Sequence, residues 1–467
     1  MAVTPLDVDG QRLAAAERFV SEWVSDHRIP GATFAVFDDE GVEGFAFGAR
    51  DLETNAPATP DTLLGIGSCT KSFTGIAILQ LAEETDLEVT DDVSEYVPYF
   101  RDVPGPAITI RELLSHSSGM PSDGMATALI GRAMDGDSLE VPLSSEADFR
   151  RHVGGSADER ATHLDDPFFY YNSGFTVLGE VVEAVSGTGY AVYVEEHILE
   201  PLGMERSTFR RERFESDLDA MTPYYRSEGS VVEGRFPFDE PVHAPGGMLS
   251  SVLELSRYGR MQLNDGTFRG TQVLPPDRIE ESRTPVSTRE LLFGGTELQY
   301  AYGWLVREFL GDTLVGHGGG IGVYNAYLGY LKDRGLGVAL LCTTGPRTHP
   351  MHAGPGALAA LLGEAPTEAD PHLALEERLP VLTGTYDSYR GILSLEVSRH
   401  GGTLRIVPDG EQLGGEELAL VPEELGEEVS TFRTVDAGGN DLTVRFEVGE
   451  ETVDMYLRRW RLRRERR

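Results

Sequence analysis

The sequence predicts an α+β protein: an antiparallel sheet flanked by helices, a helical lobe, and a small antiparallel β-barrel towards the C-terminal end. Three observations carry this. Apolar runs of strand length occur over 32–47 and again over 298–342, on either side of a helix-rich middle. Helical periodicity dominates the stretch between them. Beyond an acidic, Pro-containing segment at 365–371, short strands alternate with Gly-rich and acidic turns.

The elements follow in order. Leu13, Ala16, Phe19, Val20, Trp23 and Val24 recur at three- and four-residue intervals, giving an amphipathic helix over 10–27 that Ile29-Pro30-Gly31 ends. Residues 32–37 and 42–47 flank Asp38-Asp39-Glu40-Gly41 as a hairpin. Ser68 opens an apolar helix running to 84. Residues 85–265 hold helices such as 174–186 and 190–199, joined by long loops. Strands at 298–309, 313–316, 324–331 and 337–342 are expected to share one sheet with the N-terminal hairpin. The expected domains are 1–364, a linker over 365–379, and a barrel over 380–467 with strands at 384–386, 393–397, 403–407, 442–448 and 452–457. The last ten residues contain seven arginines. Leu457, Trp460 and Leu462 interleave with them as a final strand would, so the run reads as pairing with the acidic body or a neighbouring subunit rather than with nucleic acid.

Forty basic residues face 77 acidic ones, a formal net charge of -37. Such a surface repels itself in dilute buffer, whereas at ~1 M salt the Debye length is about 3 Å and most of that repulsion is screened. The expected reading is a salt-adapted, halophilic protein. Its unfolding midpoint should drop on dialysis to low salt and recover in concentrated salt; equal stability in both counts against the reading. The same field disfavours nucleic acid and anionic membrane as partners. No run of 18 apolar residues predicts a membrane span, and the first nine residues lack the basic and apolar regions of a secretory leader. Cys69 and Cys342 have no metal or redox spacing, so a cytoplasmic enzyme with reduced cysteines, no metal and no cofactor is expected.

Only two lysines occur against 38 arginines, and one is Lys71, three residues after Ser68. Arginine stays protonated at any physiological pH, whereas a desolvated lysine can lose its proton and act as a base. Positions i and i+3 share a helix face, so the amine can reach the Ser68 hydroxyl, a poor nucleophile until a base takes its proton. An S-x-x-K alone is common on solvated helices. Here the surrounding helix is apolar and lysine is otherwise avoided. Phe168-Phe169-Tyr170-Tyr171-Asn172 supplies Y-x-N, and Gly316-His317-Gly318-Gly319-Gly320 supplies H-x-G. Each alone reads as core or turn.

Together and in this order, the three motifs resemble those of the serine β-lactamase-like hydrolases, which include class C β-lactamases, D-alanyl-D-alanine carboxypeptidases, D-aminopeptidases and esterases. Ile29-Pro30-Gly31-Ala32, the stretches 62–74 and 108–119, and Ala244-Pro245-Gly246-Gly247 agree with it. The resemblance implies a β-lactamase/transpeptidase-like fold over roughly residues 10–362. By the same resemblance Ser68 would be the acylated nucleophile, Lys71 its base, and Tyr170 a partner base made effective by the Lys71 cation. Asn172, His317 and Gly319 would bind substrate, and the N–H groups of Ser68 and Gly320 would form the oxyanion hole. Gly318 stands where many relatives carry Ser or Thr, which weakens the case for substrates held by a free carboxylate. His116 reads as structural, in a helix-end motif away from the triplet. The C-terminal part resembles lipocalin-like barrels appended to some relatives, in Leu382-Thr383-Gly384-Thr385-Tyr386, and admits a homo-oligomer. The expected activity is an acyl-enzyme serine hydrolase acting on an ester, amide or peptide. The alternatives are a penicillin-binding-like protein that does not turn over its ligand, and a weak β-lactamase or D-Ala-D-Ala carboxypeptidase.

Overall fold

The computed structural model describes residues 8–134, 143, 145–165, 167–227, 230–344, 348–408 and 417–466. Most of the N-terminal segment read above, residues 1–7, and Arg467 lie outside the described residues. The chain divides into two compact units, 1–291 with 296–364, and 292–295 with 365–467.

Nine antiparallel strands build the sheet of the first unit. Their order is 287–291, 297–300, 305–309, 312–321, 324–331, 336–343, 31–38, 42–51 and 56–57. Residues from both ends of this unit therefore share one sheet, as the apolar runs predict: Ala32 pairs with Cys342 and Phe37 with Gly337. Gly31–Asp38 is buried at every position, which is why it reads as a continuous apolar run rather than an alternating one. The helix Gly10–Asp26 is capped by Asp9, whose side chain accepts from the Gln11 and Arg12 amides. It packs against the helix Pro350–Leu362, and Trp23 Nε1 donates to the Thr348 carbonyl at 3.0 Å.

Two strand readings change. The run 298–309 is two strands, Glu297–Tyr300 and Leu305–Phe309, turned at Gly303, whose φ of 79° needs glycine. The strand expected to end at 316 continues as Asp312–Ile321, because its glycines allow a second backbone to lie against it.

The helix Thr70–Glu84 runs through the middle of the unit. It is buried at every residue from Thr70 to Leu81, so its apolar character extends all round rather than along one stripe. The helices Asn172–Ser186, Tyr190–Val194 and His243–Gly246 pack on it.

The second unit begins with helices, in the stretch 365–379 that the sequence reads as a linker. Pro366–Ala369 and Pro371–Val381 are short helices with Pro in the first turn, and Asp370 caps the second. Eight antiparallel strands then close a barrel. Asp387 on the first pairs with Arg463 on the last. Tyr386, Leu395, Ile406, Phe432, Phe446, Met455 and Leu462 are among the side chains filling its interior. Leu418–Leu425 and Val429–Val435 were not expected as strands, because the polar/apolar alternation is blurred: Val421 and Val435 face outward while Ser430 and Thr434 face inward. The arginine-rich end is the strand Trp460–Glu465: Leu462 points inward, while Arg461 and Arg463 bond Asp454 at 2.6 and 2.8 Å. No helix among the described residues is long and apolar enough to cross a membrane.

Candidate active site

The short strand Leu64–Gly65 pairs with Leu249–Ser250, and the Ile66 amide donates to the Met248 carbonyl at 3.0 Å. The chain then turns through Gly67, at φ 52°, into a 3₁₀ turn over Gly67–Cys69 and the buried helix. Ser68 therefore sits at the helix entrance rather than within the helix, partly exposed. The strand Asp312–Ile321 presses against this turn backbone to backbone. A Cβ on Gly67 would lie 2.5 Å from Gly320 N, and one on Gly319 would lie 1.9 Å from Ile66 O. The two glycines permit this approach, which brings the backbone of Gly320 alongside Ser68. Gly319, expected to bind substrate, is buried and packs closely against this turn. Gly318 also has a steric reason: a Cβ there would meet Met351 Cβ at 2.8 Å, so a Ser or Thr has no room.

Lys71 is fully buried. Its Nζ lies 3.0 Å from Ser68 Oγ, 2.8 Å from Asn172 Oδ1 and 2.7 Å from the Pro245 carbonyl oxygen. An ammonium can donate to all three. A neutral amine can donate to Asn172 and Pro245 and keep its lone pair on the Ser68 hydroxyl, the arrangement of a general base. Burial pushes the Lys71 amine well below the usual lysine range.

Tyr170 precedes the helix Asn172–Ser186, and its ring lies 4.9 Å from Lys71 Nζ. The side chains of Ser68 and Tyr300 act on its hydroxyl. Burial raises its ionisation, and the Ser68 side chain and the charge of Arg289 offset this only in part. Tyr170 therefore rests as a phenol; the sequence expectation of a tyrosine lowered by Lys71 is replaced by a lysine lowered by burial.

His317 Nδ1 lies 2.6 Å from the Gly318 carbonyl, which can only accept, so Nδ1 carries a proton. Burial pushes the ring down to about 3, with the Lys71 charge adding to the effect, so the imidazole is neutral. Its Nε2 must then accept, and Tyr300 donates to it across 3.0 Å. The sequence reading did not single out Tyr300: it lies in the third-motif half of the chain, and only sheet pairing brings it to the second motif. Arg289 was missed for the same reason. It is the extra residue of a bulge between Thr288 and Glu290, and its charge acts on Tyr170, Tyr300 and His317. His116 is not away from the triplet, as expected; its ring packs 4.3 Å from that of Tyr170.

Residues 16–362 match the family model described as Beta-lactamase, and residues 366–463 match that of the Pab87 octamerisation domain. A solved structure, the octameric penicillin-binding protein homologue from Pyrococcus abyssi, is 34% identical with a TM-score of 0.87, covering 97% of this chain and 100% of that one. A D-stereospecific amidohydrolase from Streptomyces sp. shares the fold at 23% identity and a TM-score of 0.61, over 75% of this chain and 99% of its own. Protein flp of Staphylococcus aureus is 28% identical over 322 residues, 67% of this chain. The match spans 59% of that relative's length. Penicillin-binding protein 4 of Amycolatopsis lactamdurans is 27% identical over 69% of this chain and 83% of its own.

Proposed function

The chain belongs to the β-lactamase family, and from that premise we propose that it is a serine hydrolase that forms an acyl-enzyme on an ester, amide or peptide. The observation carrying this is the buried Lys71 amine 3.0 Å from Ser68 Oγ, lowered by desolvation towards its neutral form. A binding module has no use for a base at that cost.

In this reading Lys71 takes the Ser68 proton as Oγ attacks the substrate carbonyl. The tetrahedral oxyanion is held by the Ser68 and Gly320 amides; losing one such donor typically costs ~10²–10³ in rate. The Tyr170 phenol gives its proton to the departing nitrogen or oxygen, and the Lys71 ammonium restores it. Asn172 holds Lys71 in place through its Oδ1 at 2.8 Å. His317 and Tyr300 orient the Tyr170 hydroxyl. The steric fill at Gly318 supports substrates recognised by shape over those held by a terminal carboxylate. The amidohydrolase likeness adds D-configured amides to the substrates worth assaying. The match to an octamerisation domain supports a homo-oligomer built through residues 366–463. Two buried free thiols, with Cys69 pushed up to about 12 by burial, support a reducing, cytoplasmic setting.

A fluorophosphonate probe in ~3 M salt, chosen to screen the surface charge, should label the wild type at Ser68 and leave Ser68→Ala unlabelled. A panel of p-nitrophenyl esters, D- and L-aminoacyl amides and nitrocefin then assigns the substrate. A folded wild type that takes no label and hydrolyses none of the panel sinks the hydrolase reading.

A further inference from the structure

We infer that His116 is a positioning residue for Tyr170, clamping the peptide on both sides of it and presenting an unpaired ring N–H to the aromatic cage in which that tyrosine develops negative charge. The inference rests on the serine hydrolase reading above for the tyrosine's role, but its geometry stands apart from it. The His116 carbonyl accepts from the Phe169 amide at 3.0 Å, and its Nδ1 accepts from the Tyr171 amide at 3.1 Å. One residue thus bonds both neighbours of Tyr170, from a distant part of the sequence.

The second bond also settles the tautomer. A ring nitrogen that accepts from an amide carries no proton, so the proton of the neutral imidazole is on Nε2. Burial keeps the ring neutral. Nε2 is buried without a hydrogen-bond partner among the described residues. The ring is enclosed by Tyr170 at 4.3 Å, Tyr300 at 4.7 Å, Phe175 at 5.2 Å and Phe168 at 5.8 Å.

A buried, unpaired donor costs free energy, and so does the left-handed backbone of His116, at φ 58°. A clamp alone would not require either cost, since Asn adopts that backbone readily and offers an acceptor of its own. The N–H has a use if Tyr170 passes through phenolate character. When the scissile C–N bond breaks, the Tyr170 proton moves to the departing nitrogen, and the phenolate left behind is neutralised by a proton from the Lys71 ammonium. A donor against the electron-rich ring stabilises that moment more than the resting phenol, which is the requirement for speeding a step.

The test compares wild type with His116→Asn on two substrates, an aminoacyl p-nitroanilide and p-nitrophenyl acetate, using kcat/KM so that only acylation is read. The anilide leaving group needs a proton and p-nitrophenolate does not. The expected result is a loss of about 10- to 100-fold on the anilide and less than about threefold on the ester, at an unchanged unfolding midpoint. Equal losses on both substrates overturn the inference in favour of a purely structural residue. A neutron structure of the wild type gives a readout independent of activity: a proton on Nε2 with Nδ1 bare supports the inference, and a proton on Nδ1 overturns it. If the wild type takes no label and turns over neither substrate, the hydrolase reading fails, and the proton positions still judge the placement of His116.

Discussion

Lys71→Arg loses acylation: fluorophosphonate labelling and kcat/KM fall by about 10³-fold, within the range of general-base contributions, while the protein still folds. The substitution keeps the positive charge and the hydrogen-bonding stem. What it removes is the ability to be neutral, because a guanidinium does not deprotonate in a protein. At the same place a lysine amine can, since its site is fully buried and burial lowers it well below 10.5. The sign of the pH dependence follows. The neutral amine is the active form, so wild-type kcat/KM rises with pH and levels off once Lys71 is deprotonated, with that limb below the ordinary lysine range. The Arg variant shows a low rate without the limb. Its larger head group in a packed site costs about 1–3 kcal/mol of stability, readable as a modest drop in unfolding midpoint. A variant that retains wild-type labelling rates would remove Lys71 from proton transfer.

Gly319→Ala has the second large effect, and it acts through backbone. The added Cβ would sit 1.9 Å from Ile66 O and 3.2 Å from Ser68 N. Both are main-chain atoms of the turn that holds the nucleophile, so no side-chain rotation relieves the overlap. The strand and the turn must separate. Thermal unfolding should show a loss of about 1–3 kcal/mol or more, and labelling of Ser68 should fall by about 10²–10³-fold as the oxyanion donors move apart. The neighbouring substitution is the control. A Cβ on Gly320 meets nothing closer than Asn325 Oδ1 at 3.9 Å, so Gly320→Ala should cost less than about 0.5 kcal/mol. Similar stability in the two variants would refute the close-approach account of Gly319.

Much of the fold was legible because local patterns carry it. The helix at 10–26 shows its stripe, the strand at 31–38 shows a buried run, and the strand at 460–465 shows leucine between arginines. The barrel strands at 418–425 and 429–435 were not legible, since valines at 421 and 435 face outward while Ser430 and Thr434 face inward, which blurs the alternation. The helices within the linker stretch were not legible because Pro ends helices inside a run but starts them at the first turn, and only the cap geometry distinguishes the two. Within the site, Ser68 and Lys71 were readable as an i, i+3 pair and Tyr170 and Asn172 as a motif. Tyr300 and Arg289 were not, since nothing in an aromatic or a charged residue on a strand marks which sheet neighbour it meets.

By itself the sequence determined which groups can do chemistry: a lysine kept in a chain that otherwise uses arginine, a hydroxyl three residues before it, and a tyrosine and a histidine in order behind them. Residue type sets what an atom can donate, accept or lose, and that is local information. Tertiary structure alone decided which of those capacities operate. It buried Lys71, and desolvation moved the resting proton affinity onto the tyrosine and off the lysine. It assigned His317 and His116 opposite tautomers, because one ring nitrogen faces a carbonyl and the other an amide. Proton positions depend on the partner across the contact, and those partners are supplied by residues more than fifty positions away or by a neighbouring carbonyl whose direction only the folded backbone sets.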